Sequence, residues 1–168
     1  NPGFETWTTS PGAPDSWTTT GNVTITKETT TKRTGSNSCK VVSTIADVGV
    51  GIKQLIVHAP AAENVLVTVQ AYYYVATGST AVLALVLYNE KGVAVATAGV
   101  NPPVKDTWTA VPLTYTPASG ESEHLEVRLL TYGNAQAAYW DDFTVTATEV
   151  TPTTLGTITC EVTYGGAK

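Results

Sequence analysis

Charge is scarce in this chain. Asp, Glu, Lys and Arg make up 14% of its 168 residues, where a globular domain typically devotes about a quarter to them. Lys and Arg number only 9 against 14 Asp and Glu, for a formal net charge of −5. No basic cluster extends beyond Lys32-Arg33. A protein that releases counterions from a polyanion needs such a patch, so nucleic acid and anionic membrane are excluded as expected partners. No apolar run reaches the roughly 20 residues of a membrane-spanning helix; the longest, Ala81 to Tyr88, has the length of a buried strand. No signal peptide is visible, which says nothing against secretion.

Cysteine and histidine are equally sparse, with two of each. Cys39 and Cys160 match no metal pattern, because zinc sites cluster their ligands at short spacing. They form either one disulfide or two separate thiols. His58 ends one apolar segment and His124 begins another, so neither is expected to serve as a positioned base for nucleophilic catalysis. Asp141 and Asp142 are adjacent and point to opposite faces of a strand, which rules them out as a hydrolytic carboxylate pair. Glu121, Glu123 and Glu126 read as a solvated face near a turn. Nucleophile elbow, phosphate-binding glycine loop and His-based metal motif are all missing. The chain is therefore expected not to be an enzyme.

Threonine takes the place of charge, as in Thr18-Thr19-Thr20 and Thr29-Thr30-Thr31. Its branched Cβ fits a pleated, half-buried surface. Strand signals recur along the chain: 22–27, 38–44, 51–58, 64–76, 81–89, 93–97, 108–116, 124–132 and 139–148. Turn residues such as Glu90-Lys91-Gly92 and Asn101-Pro102-Pro103 separate them. The fold class expected is all-β, a β-sandwich of jelly-roll topology over residues 1–148. Residues 149–168 read as a linker, Thr151-Pro152-Thr153-Thr154, followed by one more strand or the start of a further domain.

Alternation assigns faces. In the longest strand Val65, Val67, Val69, Ala71, Tyr73 and Val75 face the core, while Leu66, Thr68, Gln70, Tyr72 and Tyr74 face out. Leu83, Leu85 and Leu87 face in, with Ala84, Val86 and Tyr88 out. Leu125, Val127 and Leu129 face in, with His124, Glu126, Arg128 and Leu130 out. The outward set Tyr72, Tyr74, Gln70, Tyr88, Glu126 and Arg128 suits a sugar: C–H faces stack on aromatic rings, and hydroxyls pair with planar polar groups. The same tyrosines would equally strengthen cross-strand pairs in a sheet that binds nothing. By the same parity Asp141 shares a face with Phe143 and Val145. A carboxylate aimed at a core needs compensation, by calcium with Glu5 as a second ligand, by backbone N–H groups, or by Lys40 or Lys53.

Several segments resemble the jelly-roll carbohydrate-binding modules of families 4, 9, 16 and 22. Asn1-Pro2-Gly3-Phe4-Glu5 is similar to their opening N-x-G-F-E, and Pro14-Asp15-Ser16-Trp17 to the P-x-x-W that follows. Gly35-Ser36-Asn37-Ser38-Cys39-Lys40-Val41 resembles G-S-x-S-L-K-V, with Cys39 in an apolar place. Gln70 to Tyr74 resembles S-A-W-V-K, Thr107-Trp108 the T-W before a strand, and Tyr139 to Phe143 the closing Y-I-D-D-V. The resemblance implies non-catalytic binding of a polysaccharide or oligosaccharide, in an extracellular or cell-surface setting, on a chain linked to a hydrolase or surface protein. It also implies a structural Ca2+ held by Glu5 and Asp141, with backbone carbonyls near Gly35 and Lys40. The alternatives are a structural or adhesive sandwich of a cell-surface or phage assembly and, third, a small glycan-active enzyme.

Overall fold

The computed structural model describes residues 1–45, 49–56, 65–89, 91–116 and 124–149. Two of the expectations, the tail with Cys160 and the histidine at 58, lie outside them, as do Glu121 and Glu123. The described residues form ten strands: β1 (Thr18–Thr20), β2 (Val23–Glu28), β3 (Ser38–Ser43), β4 (Val50–Ile56), β5 (Val65–Val75), β6 (Thr80–Tyr88), β7 (Ala94–Val100), β8 (Thr109–Tyr115), β9 (His124–Tyr132) and β10 (Ala137–Glu149). Among the described residues no helix is long and apolar enough to cross a membrane.

The strands make two antiparallel five-stranded sheets, sheet A in the order β1-β4-β9-β6-β7 and sheet B in the order β2-β3-β10-β5-β8. Among the described strands only β2–β3 and β6–β7 are hairpins between sequence neighbours; the other connections pass from sheet to sheet, as in a jelly roll. The β6–β7 turn forms where Gly92 donates to the Asn89 carbonyl and the Asn89 side chain accepts the N–H groups of Lys91 and Val93.

Burial follows the alternation. Val67, Val69, Ala71, Tyr73 and Val75 of β5 pack against Leu83, Leu85 and Leu87 of β6 and Leu125, Val127 and Leu129 of β9 in one core. Trp17 joins it from the N-terminal segment, 5.1 Å edge-on to Phe143 and 5.4 Å from Phe4. Cys39 is fully buried in this core, and burial pushes its thiol pKa well up. The threonine run at Thr18–Thr20 is itself a strand, paired with Gly51–Lys53. Ala84, Val86 and Leu130 lie on the outer face as alternation implies, yet each is less than a tenth exposed.

Candidate functional site

The six residues expected to bind sugar fall on opposite sides of the sandwich. Gln70, Tyr72 and Tyr74 lie on the outer face of sheet B, whereas Tyr88, Glu126 and Arg128 lie on the outer face of sheet A. No single site holds all six. Pairing between distant strands decides which outward residues meet, and alternation within one strand carries no information about it.

On sheet A the three residues converge. Register sets Leu55 opposite Glu126, Lys53 opposite Arg128, and Tyr88 opposite His124. Glu126 is only 6% exposed. Its carboxylate meets Lys53 Nζ at 2.9 Å and Arg128 Nε at 2.6 Å. Tyr88 Oη donates to Glu126 at 3.2 Å, and Arg128 donates to Tyr88 Oη at 3.1 Å. Tyr88 stacks on His124 with ring centroids 5.0 Å apart. Burial works to raise the Glu126 pKa, but Lys53 and Arg128 together outweigh it and hold the carboxyl below its ordinary value. Lys53 is the member that sequence reasoning left out of this group. Exposed Leu55 flanks the network on β4, and Val95 and Val93 lie on the β7 side, at 43–55% exposure. Beside Arg128, register brings Ala84 and then Gly99. A Cβ on Gly99 would meet only ordinary contacts, so the low floor there is not imposed by packing.

Sheet B is partly covered. The loop from Arg33 to Asn37 crosses its outer face: the Arg33 guanidinium lies 3.4 Å over the Tyr72 ring, taking one face of that ring. Beyond the loop Tyr139, Tyr74 and Trp108 form a row, with centroids 5.7 and 6.0 Å apart. Tyr139 and Trp108 were missed as members. Their only sequence signal is their place in the motifs, since three strands must align before the row exists.

Asp141 is fully buried, but not as parity implied. Between the pairs Asp141–Tyr72 and Thr144–Gln70, β10 advances three residues while β5 advances two. The resulting bulge, with Asp142 at φ 46°, reverses the parity. Trp140 and Phe143 both face the core, and Asp141 faces the underside of the loop. There it accepts N–H groups from Arg33 at 2.9 Å, Thr34 at 3.3 Å and Asp142 at 2.9 Å. Burial is the chief reason its pKa is raised; the neighbouring Asp142 adds to that, and the N–H donors oppose it. Neither Lys40 nor Lys53 pairs with it; Asp142 instead binds the Arg33 guanidinium and Thr34 Oγ1. Glu5, itself exposed, grips the same loop by accepting from Ser36 N at 2.9 Å, Asn37 N at 3.2 Å and Asn37 Nδ2 at 2.9 Å. Gly35 sits at φ 58°, and a Cβ there would collide with the Glu5 carboxylate, so the loop's close approach requires glycine. Among the described residues no three His, Cys, Asp or Glu side chains gather into a metal-binding group. On the flank between β4 and β10, an open cleft of about 500 Å³ is lined by Leu55, Ile56, Phe143 and Val145 and has no charged side chain.

No protein-family pattern matches the sequence, and no curated protein matches it. Solved structures do resemble the fold. The CBM22-1 xylan-binding domain from Paenibacillus barcinonensis Xyn10C superposes with a TM-score of 0.65 at 16% identity, over 89% of this chain and 93% of that one. TmCBM61, solved in complex with β-1,4-galactotriose, gives 0.57 at 15% identity, over 87% and 94%. The enzymatically active domain of bacteriophage CBA120 tailspike protein 4 gives 0.65 at 16% identity over 80% of this chain, which spans only 20% of the tailspike chain. At such identities the agreement is one of architecture: the chain has the β-sandwich fold found in carbohydrate-binding modules.

Proposed function

We propose that the protein is a non-catalytic carbohydrate-binding module that takes a polysaccharide or oligosaccharide on the outer face of sheet A. The observation carrying this reading is the convergence of Tyr88, Glu126, Arg128 and Lys53 on an open sheet face flanked by exposed Leu55 and Val95. Through the buried Glu126 carboxylate the network holds an aromatic ring and a guanidinium donor in fixed orientation, so little ordering is needed on binding. Exposed Gly99 on β7 leaves room for a chain beside it. The xylan- and galactotriose-binding neighbours support the ligand class. An extracellular or cell-surface setting, on a chain that also bears a hydrolase or surface domain, follows from the same reading.

A glycan array on the folded protein tests it. Arg128→Ala should weaken the array's best ligand about tenfold or more, and Tyr88→Phe should weaken it by a smaller factor. A blank array from folded protein would overturn the reading. It would favour an adhesive module, for which the uncharged edge strand β7 with exposed Val95, preceded by exposed Val93, is the specific support.

Calcium belongs to the same reading. Carboxylates and tight-loop carbonyls suit a hard cation, and Asp141 is a buried charge balanced only by N–H dipoles. Glu5 and Asp141 would hold the ion, fixing the Arg33–Asn37 loop on sheet B, on the opposite side of the sandwich from the Tyr88–Glu126–Arg128 network. Calcium should then raise the melting temperature over that in chelator, by an amount that grows with its concentration, and Asp141→Asn should abolish the rise. Identical melting in calcium and chelator would leave Glu5 and Asp141 as hydrogen-bonding staples alone.

A further inference from the structure

We infer that the outer face of sheet B is a second glycan surface, selective for a neutral β-linked chain bearing scattered carboxylate substituents. The row Lys40, Tyr139, Tyr74 and Trp108 runs across β3, β10, β5 and the start of β8, perpendicular to the strands. Its ring-to-ring steps of 5.7 and 6.0 Å are about the length of one pyranose unit, so successive sugar rings each meet one aromatic side chain. The ring planes turn by 77° from Tyr139 to Tyr74 and by 49° from Tyr74 to Trp108. A twisted β-linked chain, whose successive rings also turn, fits this better than a flat one.

Charge narrows the ligand. The Lys40 ammonium lies 5.5 Å from the Tyr139 centroid, and no carboxylate lies within ion-pair distance of it among the described residues. Glu28 feels its field, but that carboxylate is engaged by the N–H groups of Thr30 and Thr31. Lys40 is thus a cation placed at one end of a stacking row, where a uronate side group would complete the pair. The net charge of −5 disfavours a fully charged polyuronate, which leaves a mostly neutral backbone with occasional acid groups.

This inference shares the ligand class of the sheet A proposal but none of its residues, and the test separates the two. Binding of glucuronoxylan and of the same polymer with its carboxyl groups reduced is compared by affinity electrophoresis, in an Arg128→Ala background that disables sheet A. The background protein should retain binding and favour the acidic polymer. Lys40→Gln should erase that preference without lowering the affinity for the reduced polymer. Trp108→Ala should weaken both about tenfold or more, with folding checked by thermal melting. Equal affinity for the two polymers, or an unchanged affinity in Trp108→Ala, would overturn the second surface. A failure of sheet A reads differently: Arg128→Ala would then change nothing relative to the natural sequence.

Discussion

Trp140→Ala should be the most damaging single truncation in the chain, costing about 3–5 kcal/mol and lowering the melting temperature by roughly 10 °C or more. Trp140 is fully buried and the largest such side chain. It lies in the middle strand of sheet B, opposite Cys39 on one side and Tyr73 on the other, with its ring 6.3 Å from that of Tyr73. A hole there is walled by strands on both sides and cannot collapse, which puts the cost at the upper end for such cavities. Trp140→Phe tells the volume from the polar atom. The indole Nε1 is buried and finds no hydrogen-bond partner among the described residues, so phenylalanine removes an unpaired donor together with part of the volume. Its cost should be about 1–2 kcal/mol, well below that of alanine. Urea denaturation of both variants checks the order, and equal costs would mean that the packing of the six-membered ring contributes little. Its neighbours in sequence both face outward. Tyr139 belongs to the outer aromatic row and Asp141 to the loop seat, so the orientation of both depends on how firmly Trp140 is held between them.

The strands were legible because burial of alternate residues is a local property. The run from Val65 to Val75 announces both faces of β5 without reference to any other strand, and the same holds for Leu125, Val127 and Leu129. What required the fold was everything that depends on partners. Tyr74 and Tyr88 look alike in sequence, but pairing sends one to each side of the sandwich. Thr18–Thr20 lacks alternation and becomes a strand only because β4 offers it an edge. Asp141 illustrates a third kind of illegibility. Its burial was readable from the motif, but its direction was not, since a non-glycine residue at positive φ gives no warning in the sequence, and one extra residue in a ladder inverts every face beyond it. Lys53 was unreadable as a site residue for the reason Trp108 was: each gains its meaning from a side chain more than thirty positions away.

Glu126→Gln should cost about 2–3 kcal/mol, between the small value of an exposed ion pair and the larger one of a buried pair broken on one side. The carboxylate is 7% exposed at the side chain, while Lys53 and Arg128 remain 34% and 30% exposed, so water screens the cations more than the anion. Removing the charge leaves Lys53 directly opposite Arg128, and like charges facing across an antiparallel pair repel. A second substitution, Lys53→Gln, should therefore restore part of the loss, whereas independent contributions would simply add. The pH dependence has a definite sign. Because the Glu126 pKa is lowered in the folded state, its stabilisation is present above the ordinary glutamate range and is lost as pH falls through the folded value. Asp141 works in the opposite sense: its raised pKa gives a contribution that is complete below the ordinary aspartate value and is lost as pH rises through the folded one. Denaturation of the natural protein and of Glu126→Gln at several pH values should thus show two stability curves that converge on acidification. Curves that stay parallel into acid would mean that the carboxylate does not stabilise through its charge, and the Tyr88–Glu126–Arg128 network would lose its claim to hold a preformed sugar-binding geometry.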